Sequence, residues 1–229
     1  WKFQTYIKDY LRCVAGIDRA VGSVLDYLEE SGLSENTIVV YTSDQGFYLG
    51  EHGWFDKRWM YEESFKMPFL IKHPRNIEAG TTSDAMVMNV DFAPTLIDMA
   101  GLEIPSEMQG KSFKEVFEGE KNQRKSVYYH YYEWPIWHKV QPHYGIKTKR
   151  YKLMHFYYSM DEWELYDLET DPNEMNNIYS EAPAELIENL KYELKELRKK
   201  YKDNGSIEEM RRMTDTVIRR VYNLSLIHI

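Results

Sequence analysis

Residues 43–63, SDQGFYLGEHGWFDKRWMYEE, bring oxygen ligands, cations and aromatic rings into one stretch of chain. Asp44 offers a carboxylate and Gln45 a neutral carbonyl oxygen, and both are hard ligands that suit Ca²⁺ or Mg²⁺ rather than zinc. Because two adjacent residues cannot fill about six coordination positions, further ligands must come from elsewhere. The pair is a candidate for part of a metal site, and a strand-end turn capped by the aspartate is the structural alternative.

A lysine in the same stretch could complete an anion site beside such a cation. Lys57 lies thirteen residues after Asp44, within loop reach of the same strand end. Beside a divalent metal, its compact ammonium group would stabilise charge on the oxygens of a tetrahedral anion. The combination predicts a metal-assisted anion site, although Lys57 alone would be interpreted as a solvated surface lysine.

The elements before this loop must place it at the edge of a sheet. Apolar residues three and four positions apart over residues 4–31 predict one amphipathic helix, and Gly32 follows as its cap. Residues 37–42, TIVVYT, form a β-branched run without alternation, which is typical of a buried parallel strand. A helix, a strand and a loop at the carboxyl end of that strand make half of a doubly wound α/β unit, where ligands collect.

Two later segments extend this α/β region. Residues 67–73, MPFLIKH, predict a second strand. Residues 89–101 predict a helix with Asp91 as N-cap, Pro94 in the first turn and Gly101 just past the end.

The polar stretch EGEKNQRK at residues 118–125 indicates a boundary between two units. We predict that residues 1–122 belong to a partial doubly wound α/β catalytic domain and that residues 123–204 form a smaller α+β subdomain. Residues 205–229 are predicted to be a tail, and we assign no role to its apolar end, which need not be native.

The smaller subdomain is predicted to be an antiparallel sheet covered by one helix. Three β-prone segments separated by turn-like residues predict the sheet: SVYYHYYEW, YGIKTKRYKLMHFYY and WELYDL. Pro183 then opens a segment with apolar residues at helical spacing and basic residues near its end. The helix would pack its apolar stripe on the sheet.

Composition limits the classes of function that the chain can have. With 29 basic and 37 acidic residues among 229, the formal net charge is −8, which argues against a nucleic-acid partner. No apolar run approaches the roughly 20 residues of a membrane span. The nineteen tyrosines and six tryptophans fill a core or stack on sugar rings. Because the chain starts at Trp1 within a helical pattern, we expect it to be the C-terminal part of a longer protein.

Several of these segments together resemble one enzyme family. NTIVVYTSDQGFYLGEHGWFDKRWMYEESFKMPFLIKHP is similar to the type I, formylglycine-dependent sulfatases of the alkaline phosphatase superfamily. VDFAPTLIDMAG, QGKSF and YGIKTKRYKLMHFY followed by WELYDLETDPNEMNN extend the resemblance over about residues 5–201. The form of the DQG loop is similar to that of bacterial and lysosomal enzymes that desulfate N-acetylglucosamine 6-sulfate in glycosaminoglycans or mucins. The resemblance implies an alkaline-phosphatase-like fold, a sulfated carbohydrate substrate and an extracytoplasmic location, which would be periplasmic, secreted or lysosomal.

The resemblance implies roles for the residues that match the family motif. Asp44 and Gln45 fall where these sulfatases hold Ca²⁺, which is favoured over Mg²⁺, and Lys57 falls on the lysine that binds the sulfate group. Asp56 and Arg58 flank that lysine, and a carboxylate beside a fork of donors suits the two hydroxyls of a sugar edge.

His143 is the remaining candidate for a substrate contact, because it starts a strand of the subdomain that lines one wall of the pocket in this family. Structural roles are the simpler expectation for the other notable side chains of the loop: His52, Trp54, Trp59, Glu62 and Glu63.

The chain departs from the family at the nucleophile. The family makes formylglycine from Cys or Ser in C/S-x-P-x-R and places two further Asp ligands near it, and residues 1–229 contain neither feature. Cys13 lies in LRCVAG without the required proline and arginine, and we predict a buried structural thiol on a core helix. We therefore expect the formylglycine upstream and no turnover by this chain alone.

Two alternatives remain open at this point. A phosphodiesterase or phosphonate hydrolase of the same superfamily would use the same metal and oxyanion chemistry. A carbohydrate-binding or inactive remnant would keep the sugar pocket without catalysis. The glycan linkage and the oligomeric state are not determined by the residues.

Overall fold

One long helix followed by short helices and strands occupies the first half of the chain, and a sheet followed by two helices occupies the second. The computed structural model describes residues 1–119, 124–134 and 138–226. The elements in chain order are α1 (Lys2–Glu30), β1 (Val39–Thr42), α2 (Glu62–Phe65), β2 (Phe69–Lys72), α3 (Phe92–Met99), α4 (Lys114–Phe117), β3 (Ser126–Tyr131), β4 (His143–Thr148), β5 (Tyr151–Phe156), β6 (Glu162–Asp167), α5 (Ala184–Lys200) and α6 (Ile207–Leu226).

The β1 strand differs from the buried parallel strand that the sequence predicted. It pairs antiparallel with β2, with Val39 opposite Lys72 and Thr42 opposite Phe69. Val40 is exposed and the other three residues are half-buried. The β-branched run predicted a strand correctly, but a run of this kind does not specify the direction of the neighbouring strand.

The predicted antiparallel sheet is confirmed in the second half of the chain. Strands β3, β4, β5 and β6 pair in chain order, each antiparallel to its neighbour. A two-residue connection joins β4 to β5, where the Thr148 hydroxyl accepts hydrogen bonds from the backbone N–H groups of Arg150 (3.3 Å) and Tyr151 (2.8 Å).

Both faces of this sheet are covered, because alternate residues of a strand point to opposite sides. One face packs Met154 and Phe156 against Trp59 and Met60. These two residues belong to residues 43–63, which we call the functional loop. The other face packs Leu153 and its neighbours against two helices, and the buried contacts come from Leu190, Leu194 and Met210. The sheet therefore supports the loop on one side and the C-terminal helices on the other.

The α5 helix confirms the predicted amphipathic helix, but it is not the only helix on the sheet. Met210 of α6 is buried in the same cluster, and the Arg211 side chain donates a hydrogen bond to the Tyr157 carbonyl at 2.6 Å. Residues 205–229, which we predicted to be a tail, thus contain a second packed helix. The sequence did not predict it because its first turns are mostly polar and contain methionine, so that their apolar signal is weak.

The α3 helix confirms the prediction for residues 89–101. Asp91 is its N-cap by position, Pro94 lies in the first turn, and Gly101 follows the last turn with a φ of 72°. The Asp91 carboxylate does not cap α3. It accepts hydrogen bonds from the backbone N–H groups of Met88 (2.8 Å) and Lys111 (2.9 Å) instead.

Helix α1 forms as predicted, but none of its residues is buried. Its N-terminal turns touch the functional loop through Tyr6 and Phe55, whose ring centroids are 5.1 Å apart. Cys13 is exposed, so the prediction of a buried thiol is wrong in this structure. Among the described residues, no helix is both long and apolar enough to cross a membrane.

Candidate functional site

The loop after β1 is fixed by close backbone packing at Gly46. Its N–H donates to the Ser64 carbonyl at 2.8 Å. A Cβ atom at this position would lie 2.0 Å from the Glu63 carbonyl oxygen, so only glycine fits. The glycine of Asp-Gln-Gly therefore lets the start of the loop lie directly on the backbone of α2.

Gln45 is oriented by polar groups behind it. Its side-chain nitrogen donates to Ser64 Oγ at 2.6 Å and to the Lys57 carbonyl, and Ser64 Oγ donates to the same carbonyl at 2.6 Å. Because the amide nitrogen is held inside the loop, the amide oxygen is the atom of Gln45 that is left to bind a cation. Ser64 is completely buried and was not singled out by the sequence, since a lone serine carries no motif.

Asp44 and Lys57 are brought together as the sequence predicted. Lys57 Nζ lies 2.6 Å from Asp44 Oδ2, and the Asp44 side chain is 73% exposed. The hydrogen bond from Lys57 holds the pKa of Asp44 below its usual range despite some desolvation, so the carboxylate is ionised at neutral pH. An ionised oxygen beside an ammonium group suits both a hard cation and an anionic ligand.

These donors fit one side of a calcium or magnesium site. The Asp44 carboxylate and the Gln45 amide oxygen are hard ligands of the preferred type. Within the part of the chain that the structure describes, no group of three or more His, Cys, Asp and Glu side chains is arranged to hold a metal. Asp44 and Gln45 could thus supply part of a coordination shell, and the expectation of further ligands from elsewhere stays a prediction.

Asp56 and Arg58 form a second charged pair beside Lys57. Arg58 donates a hydrogen bond to Asp56 Oδ1. Their backbones are held from both sides, because Tyr48 N–H donates to the Asp56 carbonyl (2.8 Å) and the Tyr129 hydroxyl donates to the Arg58 carbonyl (2.8 Å). The pair presents a carboxylate and a guanidinium from a rigid loop.

Two residues that the sequence did not single out lie near this pair. Glu133 Oε2 is 3.9 Å from Arg58 Nε, and His138 Nδ1 is 4.0 Å from Asp56 Oδ2. Both belong to the connection between β3 and β4. No local signal could have found them, because their proximity to the loop depends on how the sheet packs against it.

His143 does not lie on an open pocket wall within the described residues, and its substrate contact stays a prediction. Its ring is completely buried and stacks near Trp59, with centroids 5.7 Å apart. Nδ1 is 2.7 Å from the Gln141 carbonyl, and Nε2 has no hydrogen-bond partner among the described residues. Burial lowers the pKa of His143 to about 4, so the ring is neutral at physiological pH. His143 points inward because it starts β4 on the face that packs against Phe156.

The structural expectations for the other loop side chains agree with their contacts. His52 stacks on Tyr61 with centroids 4.5 Å apart and lies 3.4 Å from Glu63. Trp59 is buried, whereas Trp54 remains 41% exposed at the loop surface.

Glu62 anchors the loop to the sheet through a buried group of charges. Lys147 Nζ and Lys152 Nζ lie 2.7 Å and 2.8 Å from Glu62 Oε1, and Lys152 also lies 2.7 Å from Glu174. Burial opposes ionisation of Glu62, but Lys152 and Lys147 outweigh it and hold its pKa at about 2. Glu174 also accepts a hydrogen bond from the Glu62 N–H at 2.6 Å.

Comparison with known proteins connects this loop and sheet to sulfate ester hydrolysis. Residues 50–200 match the family model of the C-terminal region of N-sulphoglucosamine sulphohydrolase. An N-acetylglucosamine-6-O-sulfatase of Bacteroides thetaiotaomicron is 54% identical over 214 residues, which cover 91% of this chain and 38% of that enzyme. An arylsulfatase of Clostridium perfringens is 35% identical over 186 residues, covering 80% of this chain and 38% of the enzyme.

The fold agrees with that of a solved sulfatase-type structure. A protein crystallised with its substrate D-glucosamine-2-N,6-O-disulfate superimposes with a TM-score of 0.87 and 54% identity, covering 91% of this chain and 43% of that one. The chain spans less than half the length of each of these relatives. By its family match, its identity to these enzymes and its fold, the chain belongs to the sulfatase family.

Proposed function

We propose that the protein containing this chain is a sulfuric ester hydrolase that removes sulfate from glycans, with 6-O-sulfated N-acetylglucosamine of glycosaminoglycans or mucins as its substrate. The ion pair of Asp44 with Lys57 carries this proposal, because it places a metal-type oxygen and a cation at one point of the surface. The similarity to an enzyme named for the 6-O-sulfate of N-acetylglucosamine supports the choice of sugar.

In this proposal Asp44 and Gln45 hold one side of a Ca²⁺ ion, and Mg²⁺ is the less favoured cation. When bound, the cation polarises sulfate oxygens as a Lewis acid. Lys57 Nζ donates to the sulfate oxygens and stabilises the negative charge that develops on them. The backbone of the loop keeps these groups fixed, since the Lys57 carbonyl is bonded by both Gln45 and Ser64.

We assign recognition of the sugar to Asp56 and Arg58. A carboxylate accepts from one sugar hydroxyl while a guanidinium donates to its neighbour, which fixes the orientation of the ring. Glu133 lies 3.9 Å from Arg58 and His138 lies 4.0 Å from Asp56, at the side of this pair. The exposed indole of Trp54 offers an apolar face at the same loop.

The nucleophile is expected outside residues 1–229, because the chain contains no C/S-x-P-x-R segment. We propose that a formylglycine and further acidic ligands upstream complete the site, and that the 229-residue chain alone releases no sulfate. An extracytoplasmic location fits the proposed polymers, which are extracellular.

Regioselectivity tests this assignment in the full-length protein. We expect sulfate release from N-acetylglucosamine 6-sulfate to exceed release from the 3- and 4-sulfate isomers. Asp56→Asn and Arg58→Lys should each raise KM at least tenfold, because each leaves a polar partner of the sugar poorly paired. Lys195→Ala is the control, since Lys195 is exposed and distant in sequence from the loop.

Parallel assays decide between this proposal and its alternatives. Faster cleavage of a phosphonate monoester than of a sulfate ester would favour the phosphonate hydrolase. Binding of the sulfated sugar that is equally tight with and without Ca²⁺, and no sulfate release, would favour the inactive carbohydrate-binding remnant.

A further inference from the structure

A basic cleft lies on a different part of the chain from the functional loop. Its volume is about 520 Å³, which falls in the range of about 300–1,000 Å³ typical of ligand pockets. Its walls come from the segment around α4, the residues before β3 and the C-terminal turn of α5. Four cationic side chains line it: Lys111, Arg124, Lys125 and Lys200.

The charge of this basic cleft is opposite to that of the chain. The described part of its lining has four cations and two carboxylates, Asp91 and Glu115, so the formal charge of that part is 4 − 2 = +2, whereas the chain carries −8. Arg124 already neutralises Asp91, which is buried, at 2.7 Å. The positive charge is therefore concentrated locally in an acidic protein.

Three of the four cations are available to a ligand. The ammonium groups of Lys111, Lys125 and Lys200 form no ion pair with any carboxylate in the described ranges, and all three residues are exposed. Among the residues that the structure describes, Lys200 Nζ donates a hydrogen bond only to the Tyr201 hydroxyl, at 3.3 Å. Since the three lysines come from three separate segments, they surround the cleft instead of forming one charged edge.

We propose that the basic cleft is a second binding site, which takes an anionic stretch of a sulfated oligosaccharide. Cations on several sides suit a ligand with more than one anionic group, and a polar lining with Ser112 and Tyr201 suits a hydroxyl-bearing scaffold. The identity of the ligand as a sulfated glycan rests on the proposed function, whereas the concentration of charge does not. The cleft would retain a polymeric substrate while the functional loop acts on its terminal sugar.

Equilibrium binding of a heparin-derived tetrasaccharide to the full-length protein tests the cleft. Both proteins to be compared carry Lys57→Ala to prevent turnover, and one also carries the cleft variant Lys111→Ala/Lys125→Ala/Lys200→Ala. We expect the cleft variant to raise Kd about tenfold and to reduce the dependence of Kd on salt, because three exposed charge contacts are lost.

The matched control removes three charges elsewhere: Lys195→Ala/Lys199→Ala/Arg212→Ala. Its Kd should stay within twofold of the parent, and a desulfated tetrasaccharide should bind weakly to all variants. An unchanged Kd in the cleft variant would overturn the proposal, as would inorganic sulfate binding as tightly as the tetrasaccharide.

Kinetics separate this proposal from the proposed function. With Lys57 restored, the cleft variant should raise KM for the sulfated tetrasaccharide about tenfold and leave KM for the monosaccharide 6-sulfate unchanged. An equal rise for both substrates would contradict a separate site. A protein that never releases sulfate but binds the tetrasaccharide through the three lysines would refute the sulfatase assignment and support the cleft.

Discussion

The side chain of Ser64 connects Gln45 to Lys57 in the functional loop. Its hydroxyl accepts from the Gln45 side chain and donates to the Lys57 carbonyl, each at 2.6 Å. It therefore orients a proposed metal ligand and the backbone of the proposed sulfate-binding lysine through one buried atom. Groups that orient metal ligands in this way contribute about 10–100-fold to metal affinity or activity.

Replacing Ser64 tests this link. We expect Ser64→Ala in the full-length protein to weaken Ca²⁺ binding about tenfold, because the Gln45 amide can then rotate away from the cation. Calcium titration followed by calorimetry measures the effect, and Ser159→Ala, which removes an exposed hydroxyl, is the control. Unchanged calcium affinity in Ser64→Ala would show that Gln45 is not a ligand or is held by other groups.

His143 makes the free energy of unfolding decrease on acidification. Burial depresses its pKa from 6.5 to about 4, so above pH 6.5 the ring is neutral in both folded and unfolded protein. Between pH 6.5 and 4 the unfolded chain binds a proton that the folded chain does not, and the free energy of unfolding falls as pH falls. The shift corresponds to about 3 kcal/mol at about 1.4 kcal/mol for each pKa unit.

We expect His143→Phe to reduce this loss of stability on acidification by about that amount, since phenylalanine keeps the ring packing and cannot titrate. Urea unfolding at pH 7 and pH 4.5 measures it. Some pH dependence should remain, because burial also lowers the pKa of His130 and His155. Equal acid sensitivity of wild type and variant would contradict a neutral, buried His143.

Residue types predicted the proximity of Asp44 and Lys57 better than they predicted the surroundings of His143. Asp44 and Lys57 could be placed together because both lie in one loop at a strand end. The burial of His143 could not be predicted, because its side of the sheet depends on the packing of Trp59 and Phe156. Glu133 and His138 approach the loop only through tertiary packing and carry no local motif.

Among the elements, the four-stranded sheet is the support of the functional loop. Gly145 of β4 allows this contact, because a Cβ there would lie 2.6 Å from Met60 Sδ and 2.4 Å from the Leu153 carbonyl oxygen. Lys152 of β5 adds a buried charge that joins α2 to the segment containing Glu174. The loop is thus positioned by packing and by charge at the same face of the sheet.

Breaking the buried charge group should destabilise this support. We expect Lys152→Met to lower the free energy of unfolding by about 3–5 kcal/mol, because Glu174 loses the buried cation that balances it. Chemical denaturation of the full-length protein measures the change, with the exposed substitution Lys195→Met as control. Lys152→Met/Glu174→Gln should recover part of the loss, and no recovery would show that the effect is not electrostatic.

Sequence periodicity predicted most elements but not all of their partners. The β-prone segments predicted the four-stranded sheet, and the apolar stripe of α5 predicted its covering helix. Both predictions succeeded because the apolar residues of these segments are buried in two clusters, one on each face of the sheet. The predicted parallel pairing of β1 was wrong, because a β-branched run favours a strand but specifies neither its burial nor the direction of its neighbour. Helix α6 was missed because, over residues 207–221 whose burial the structure describes, Met210 is the one buried apolar residue.

The molecule as a whole is an acidic, aromatic-rich chain, to which we assign one part of a proposed sulfatase site. Many apolar side chains of α1 remain exposed, including Leu11, Val14 and Val24. The chain is 54% identical over 214 residues to a sulfatase of which it spans 38% of the length. The family could be predicted because matching motifs occur in both units, whereas the C/S-x-P-x-R motif of the proposed nucleophile does not occur in residues 1–229.

The most direct test of the central claim is sulfate release from N-acetylglucosamine 6-sulfate by the full-length protein. We predict turnover that is abolished by chelation, restored by Ca²⁺ and lowered at least a hundredfold by Lys57→Ala, with no release by the 229-residue chain alone. Full activity of Lys57→Ala, or sulfate release by residues 1–229 alone, would contradict the assignment of Asp44, Gln45 and Lys57 to one half of a sulfatase site.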